Sequence, residues 1–168
     1  LRVSDKTRLT FPAMRQAVDA LRESRTSIIA VGVDYLSLVR SLDMNLSRSK
    51  YERVGQLSKE LTDFARDLNL PVLVAHQLNR EAGSGNEMPR MEHLRDAGDI
   101  EEDATNVILL YRPELEYDSP EKVPIEVQHI LFAKVDKARH GPMGLVDFCY
   151  NAEKHLITSL TAEPSEVG

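Results

Sequence analysis

The run IIAVGVD, residues 28–34, ends an apolar stretch in a carboxylate, Asp34. Many nucleotide hydrolases hold magnesium with an aspartate placed this way, and the carboxyl end of a parallel strand is where open α/β sheets put their ligands. A solvated acid capping the strand is the alternative. Gln77, in AHQLNR, closes the next apolar stretch. On a neighbouring parallel strand it would share a rim with Asp34. A glutamine there can contact a γ-phosphate or orient an attacking water. Taken alone, Gln77 reads first as an amide satisfying loop backbone. His76 reads as a packed or hydrogen-bonded residue, because no second histidine or cysteine lies at metal spacing for a zinc site.

Two further stretches concentrate charge. In HLRDAGDIEEDA, residues 93–104, Arg95 and Asp96 precede Gly98. An arginine beside the exposed amides of a flexible turn can grip a phosphodiester. The acids Asp99, Glu101, Glu102 and Asp103 offer metal ligands, but acids in the first turn of a helix also complement its dipole, and that reading is preferred. In KVDKARHGPMG, residues 134–144, Lys137 and Arg139 are two apart and would project on one side of a strand. Gly141-Pro142 then forces a turn, leaving the pair at an exposed tip. Two cations aimed outward suit a phosphate on another molecule. A solubilising edge-strand pair is the alternative. A phosphate-binding loop would complete the set, yet no G-x-x-x-x-G-K-[ST] occurs and none of the eight glycines precedes a lysine.

Positioning these residues requires alternating strands and helices. FPAMRQAVDALRESR predicts a helix from Phe11, with Pro12 in its first turn and Met14, Val18 and Leu21 on one face. Residues 28–33 predict a strand covered on both sides. In YERVGQLSKELTDFARDLNL, Val54, Leu57, Leu61, Phe64 and Leu68 recur at three- and four-residue steps, giving a second helix that stops at Asn69. PVLVAHQL, from Pro71, is the next strand, completing a βαβ unit. Residues 79–92 form a loop, and DIEEDA starts a helix with Asp99 as cap and Glu102 answering it. NVILLY, residues 106–111, is a third strand. PIEVQHILFAKV, MGLVDFCYN and HLITSL read as antiparallel strands at a sheet edge, followed by a disordered tail over 161–168.

Bulk properties narrow the classes. The 168 residues are 42% hydrophobic and 29% charged, as in an ordinary globular domain. A single cysteine, Cys149, excludes an internal disulfide and fits a reducing compartment such as the cytoplasm. No apolar run approaches the roughly 18 residues of a membrane span. The net charge of −6 opposes coating nucleic acid with the whole surface, though not holding it in a local basic channel. Without tryptophan, and with 5% aromatics, a base-stacking platform is not expected.

In order, VDYLSL, HQLNR, LRDAGDIEEDA and KARHGPMG, with LSKELTDFARDLNLPV between, resemble the carboxyl-terminal RecA-like motor domain of replicative DNA helicases, the DnaB family. The resemblance covers about residues 1–160 and implies an α/β, three-layer RecA-like fold, with a mostly parallel sheet and antiparallel carboxyl-terminal strands. It implies that Asp34 is the Walker B aspartate holding Mg2+ through water. Gln77 would sense the γ-phosphate of ATP and link hydrolysis to the DNA loops. Arg95, Asp96 and Gly98 would line a channel for single-stranded DNA, reading its backbone without base specificity. Arg139 would be an arginine finger entering the neighbouring subunit's site and Lys137 its companion, in a homo-hexamer that also meets a primase and a helicase loader. The chain departs from the family's pattern at His76, where serine is usual, at Glu102 (glutamine) and at His140 (asparagine). The family's phosphate loop and catalytic glutamate would precede Leu1, which implies a piece of a longer motor that is inactive alone. A RecA/RadA-type or clock-type ATPase, and a non-catalytic interaction module that has lost the loop, are the rival readings.

Overall fold

The structure, a computed structural model, describes residues 1–5, 9–41, 49–79, 87–94 and 98–160. It divides into two compact units: Leu1–Leu78 with Leu94–Ala104, and Asn79–His93 with Thr105–Gly168.

The first unit is built on helices. Thr10 caps α1, Phe11–Glu23, its hydroxyl accepting from the Ala13 N–H at 3.3 Å, and Pro12 costs nothing in a first turn whose N–H groups lack helical partners. α1 buries Phe11, Met14 and Val18. α2, Lys50–Leu68, opens with a capping box between Ser49 and Glu52 and ends on Asn69 in the left-handed conformation (φ 52°), which asparagine tolerates better than most residues. Val54, Leu57, Phe64 and Leu68 of α2 are buried. β1, Val31–Val33, pairs in parallel with β2, Val72–Val74, across α2. Phe11, Met14, Val18, Val33, Leu36, Val39, Leu57, Phe64 and Leu68 form one core. A short α3, Gly98–Asp103, returns to pack on α2 and sets Ile100 against that core.

The second unit is an antiparallel sheet in the order β3-β4-β5-β6: Asn106–Tyr111, Ile130–Ala138, Gly144–Asn151 and Leu156–Ser159. β3 alternates strictly, burying Val107, Leu109 and Tyr111 and exposing Ile108 and Leu110. The α/β class and the antiparallel carboxyl-terminal strands stand. Among the described residues, however, the parallel ladder is limited to two three-residue strands, with one isolated parallel bridge between Leu9 and Val39.

Four local expectations need correction. The first strand begins at Val31 rather than at residue 28, since only Val31–Val33 find ladder partners. The second is Val72–Val74, with Leu78 forming a separate bridge to Leu94. Asp99 does not cap α3: the helix already includes Gly98, which places Asp99 in its first turn. The stretch from Pro124 is not strand at its start, because Ile125–Val127 make a 3-10 turn and His129 takes φ 59° before β4 begins. The tail, 161–168, lies outside the described residues.

Candidate nucleotide and DNA site

Asp34 follows β1 directly and is exposed. The backbone around it is tied to the neighbouring strand on both sides. The Ala75 N–H donates to the Val33 carbonyl at 2.9 Å, and the Leu36 N–H donates to the Ala75 carbonyl at 3.0 Å. Asp34 therefore stands between two inter-strand bonds at the carboxyl end of the parallel pair, with a cis peptide to Tyr35. Gln77, also exposed, lies three residues beyond the end of β2. The two polar side chains leave the same end of two hydrogen-bonded parallel strands, the place where this sheet type puts ligands.

The segment after Asp34 re-enters packing. Leu36 and Val39 are each 2% exposed, whereas Leu38 between them is 48% exposed. Farther on, the Ser41 hydroxyl donates to the Glu60 carboxylate, and Gln56 donates to both Ser41 (3.1 Å) and Glu60 (2.8 Å). These bonds to α2 hold the chain leaving the acid. His76 is half-buried and interacts with its surroundings.

Arg95 and Asp96 lie outside the described residues. Gly98 opens α3, so the candidate DNA segment ends at a helix seated on α2.

Lys137 and Arg139 belong to the second unit. Lys137, half-buried, is the next-to-last residue of β4 and pairs with Val107; Arg139 lies just past the strand and is exposed. The Arg139 N–H donates to the Thr105 carbonyl at 3.1 Å, which holds the backbone at the point where the guanidinium departs. The β4–β5 ladder ends at Val135 opposite Gly144, so both cations lie beyond it, toward the turn of the hairpin. The β3–β4 register shifts between Val107 and Ile108, leaving Asp136 as the extra residue on β4. Such a bulge re-aims the side chains that follow it. Asp136 is fixed in turn, accepting from the Met91 N–H at 2.9 Å and from Lys134 Nζ at 2.7 Å. Sequence reading passes over Asp136, although a lone acid inside the basic run KVDKAR marks it.

Among the described residues no cluster of three or more His, Cys, Asp or Glu could enclose a metal ion. Magnesium keeps several waters and uses one or two carboxylates plus substrate phosphates, so a single exposed Asp34 fits Mg2+ held through water beside a nucleotide.

The DnaB-like helicase C terminal domain family matches residues 1–159. The chain belongs to that family. The probable replicative DNA helicase of Trieres chinensis is 29% identical over 152 residues, covering 89% of this chain and 32% of that protein. The replicative DNA helicase DnaB of Mycoplasma pneumoniae (strain ATCC 29342 / M129 / Subtype 1) is 28% identical over 156 residues, covering 91% and 33%. The replicative DNA helicase DnaC of Bacillus subtilis (strain 168) is 31% identical over 137 residues, covering 81% and 29%. This chain thus spans about a third of the length of the curated relatives it matches. Among solved structures, an ATPase domain superposes with a TM-score of 0.81 at 25% identity, covering 93% of this chain and 53% of that one. A DnaB-like replicative helicase, solved to show its interactions with primase, also gives 0.81, at 24% identity, covering 95% and 38%. The likeness to these helicase ATPase folds identifies the fold as RecA-like.

Proposed function

We propose that these residues form part of the motor of an ATP-dependent replicative DNA helicase that translocates on single-stranded DNA and unwinds duplex at the fork. Asp34 holds the waters of Mg2+, and Gln77 reads the γ-phosphate beside it. Bound Mg–ATP supplies the phosphoryl group and the charge that the motor must stabilise. Lys137 and Arg139 reach the nucleotide of a neighbouring subunit, which makes a homo-hexameric ring part of the mechanism. Arg95, Asp96 and Gly98 grip the DNA backbone. A cytoplasmic setting, with a primase and a helicase loader as further partners, completes the reading. None of the glycines lies in a phosphate loop, so the 168-residue chain alone is expected to turn over no ATP.

The observation that carries this reading is the exit of Asp34 and Gln77 from the same end of two paired parallel strands, in a chain of the DnaB-like family. The experiment is Arg139→Ala in the full-length protein. Hydrolysis should fall by about 10³ to 10⁵, the span attributed to arginine fingers, while Mg–ATP binding stays nearly intact. Equal loss of both would overturn a role confined to the transition state.

A further inference from the structure

Residues directly opposite each other in an antiparallel pair project on the same face, and successive residues of a strand on opposite faces. On β4, Lys134 stands opposite the buried Leu109 and Val135 opposite the exposed Ile108. Lys137 stands opposite Val107, again on the buried side. An unbroken strand would set Lys134 and Lys137, three apart, on opposite faces. They share a face because Asp136 is inserted between them, and a one-residue shift of register turns every following side chain over. The face on which Lys137 and Arg139 leave β4 is therefore set at Asp136. That residue stands outside both ladders: β3 skips it, and the pairing with β5 ends one residue earlier, at Val135. Its side chain, 19% exposed, supplies the hold. Oδ2 accepts from the Met91 N–H at 2.9 Å, and Oδ1 from Lys134 Nζ at 2.7 Å. Met91 is a firm mounting. Pro89 beside it is less than 2% exposed, the His93 N–H donates to the Arg90 carbonyl at 2.9 Å, and the Asn79 N–H donates to the His93 carbonyl at 2.8 Å.

We propose that Asp136 is a positioning residue that locks the β4 bulge, and with it the face from which Lys137 and Arg139 reach the neighbouring subunit's nucleotide. This inference rests on the reading of those two cations as acting on a neighbour. Asp136 itself touches no nucleotide; it acts through the backbone of β4. Without the carboxylate the inserted residue loses both bonds that hold it, and the cations after it lose their fixed aim. A catalytic group misplaced by about 1 Å costs about 10²-fold in rate. Both cations keep their charge and their place in the sequence, so the loss is one of aim alone.

The test is ATP turnover and Mg–ATP binding by the full-length protein carrying Asp136→Ala, Asp136→Asn or Arg139→Ala. Asp136→Ala should lower maximal turnover about 10²-fold while Mg–ATP affinity is unchanged. Asparagine keeps a side-chain oxygen for the Met91 N–H and gives up only the charge, so Asp136→Asn should recover to within about tenfold of wild type. In a protein already carrying Lys137→Ala and Arg139→Ala, adding Asp136→Ala should change turnover by less than about twofold, because the groups it aims are gone. Wild-type turnover in Asp136→Ala, an asparagine variant as slow as the alanine one, or a further large fall without the two cations overturns the lock. So does a loss of Mg–ATP affinity equal to the loss of turnover. If Arg139→Ala turns over ATP normally, the reading of the cations falls, and the lock's role with it. If Arg139→Ala loses turnover while Asp136→Ala keeps it, that reading stands and only the lock is refuted.

Discussion

The parallel pair and the antiparallel sheet position charged residues by different means. β1 and β2 share three residues each, too few to be stable by their own ladder. Their geometry is imposed from outside by α1 and α2, whose Phe11, Met14, Leu57, Phe64 and Leu68 share a core with Val33. The rings of Phe11 and Phe64 meet at 5.5 Å, tilted by 51°. β4 instead pairs with β3 on one side and β5 on the other, and its end is placed by register and one bulge. The acid and amide of the candidate site thus depend on helix packing. The candidate cations depend on hydrogen-bond register.

The contrast is broken most strongly at the helices. Phe64→Ala, at a side chain 3% exposed, should destabilise the first unit by about 3–5 kcal/mol. Leu110→Ala, at a strand residue 60% exposed in this chain, should cost below about 1 kcal/mol. Urea unfolding of the two variants compares them directly, and similar losses would mean that the sheet face is covered as the core is.

A smaller effect sharpens the picture of the antiparallel unit. Burial pushes the Glu114 carboxyl up, but the side-chain hydrogen bond from Arg112, the His129 backbone N–H and the charges of Arg112 and His129 outweigh it and hold it below its usual range. Arg112 also lies over the Tyr150 ring at 4.2 Å, which ties this pair to β5. A folded-state pKa below the unfolded one gives stability present above the unfolded value of about 4.3 and lost as pH falls through the folded value. Glu114→Gln should therefore cost about 1–2 kcal/mol near neutral pH, and the gap from wild type should close in acid. A gap that widens in acid would reverse the sign. The smallest effect is expected at Tyr111, whose buried hydroxyl finds no hydrogen-bond partner among the described residues. Tyr111→Phe removes an unsatisfied group and should change stability by less than about 1 kcal/mol, or increase it. A larger loss in thermal unfolding would show that the hydroxyl is bonded.

Local signals made the helices legible. The apolar period of α2 and the tolerance of Asn69 for a positive φ both act within a few residues, and helix and stop lie where they predict. β3 was readable for a similar reason, being a short apolar run between polar neighbours. Strand limits elsewhere were not, because a ladder needs a partner: Ile28–Ala30 continue the apolar run, yet Ile29 is 84% exposed. Pro124 marked a turn that periodicity alone passed over. At the site, the exits of Asp34 and Gln77 followed from two strand ends. The bulge at Asp136 joins residues 27 or more apart, so the lone acid in KVDKAR could mark the position but not show that the register shifts there.

The central claim is that one subunit offers Asp34 to a nucleotide and its neighbour offers Arg139. Co-expressing full-length Asp34→Asn and Arg139→Ala proteins with different tags, and assaying ATP turnover by the purified mixed assemblies, tests it directly. Each variant alone should be inactive. In a mixed ring some interfaces join an intact Asp34 to an intact Arg139, so turnover should return. If both groups serve a nucleotide within a single subunit, every subunit lacks one of them, and mixed assemblies as inactive as the pure variants would contradict the account.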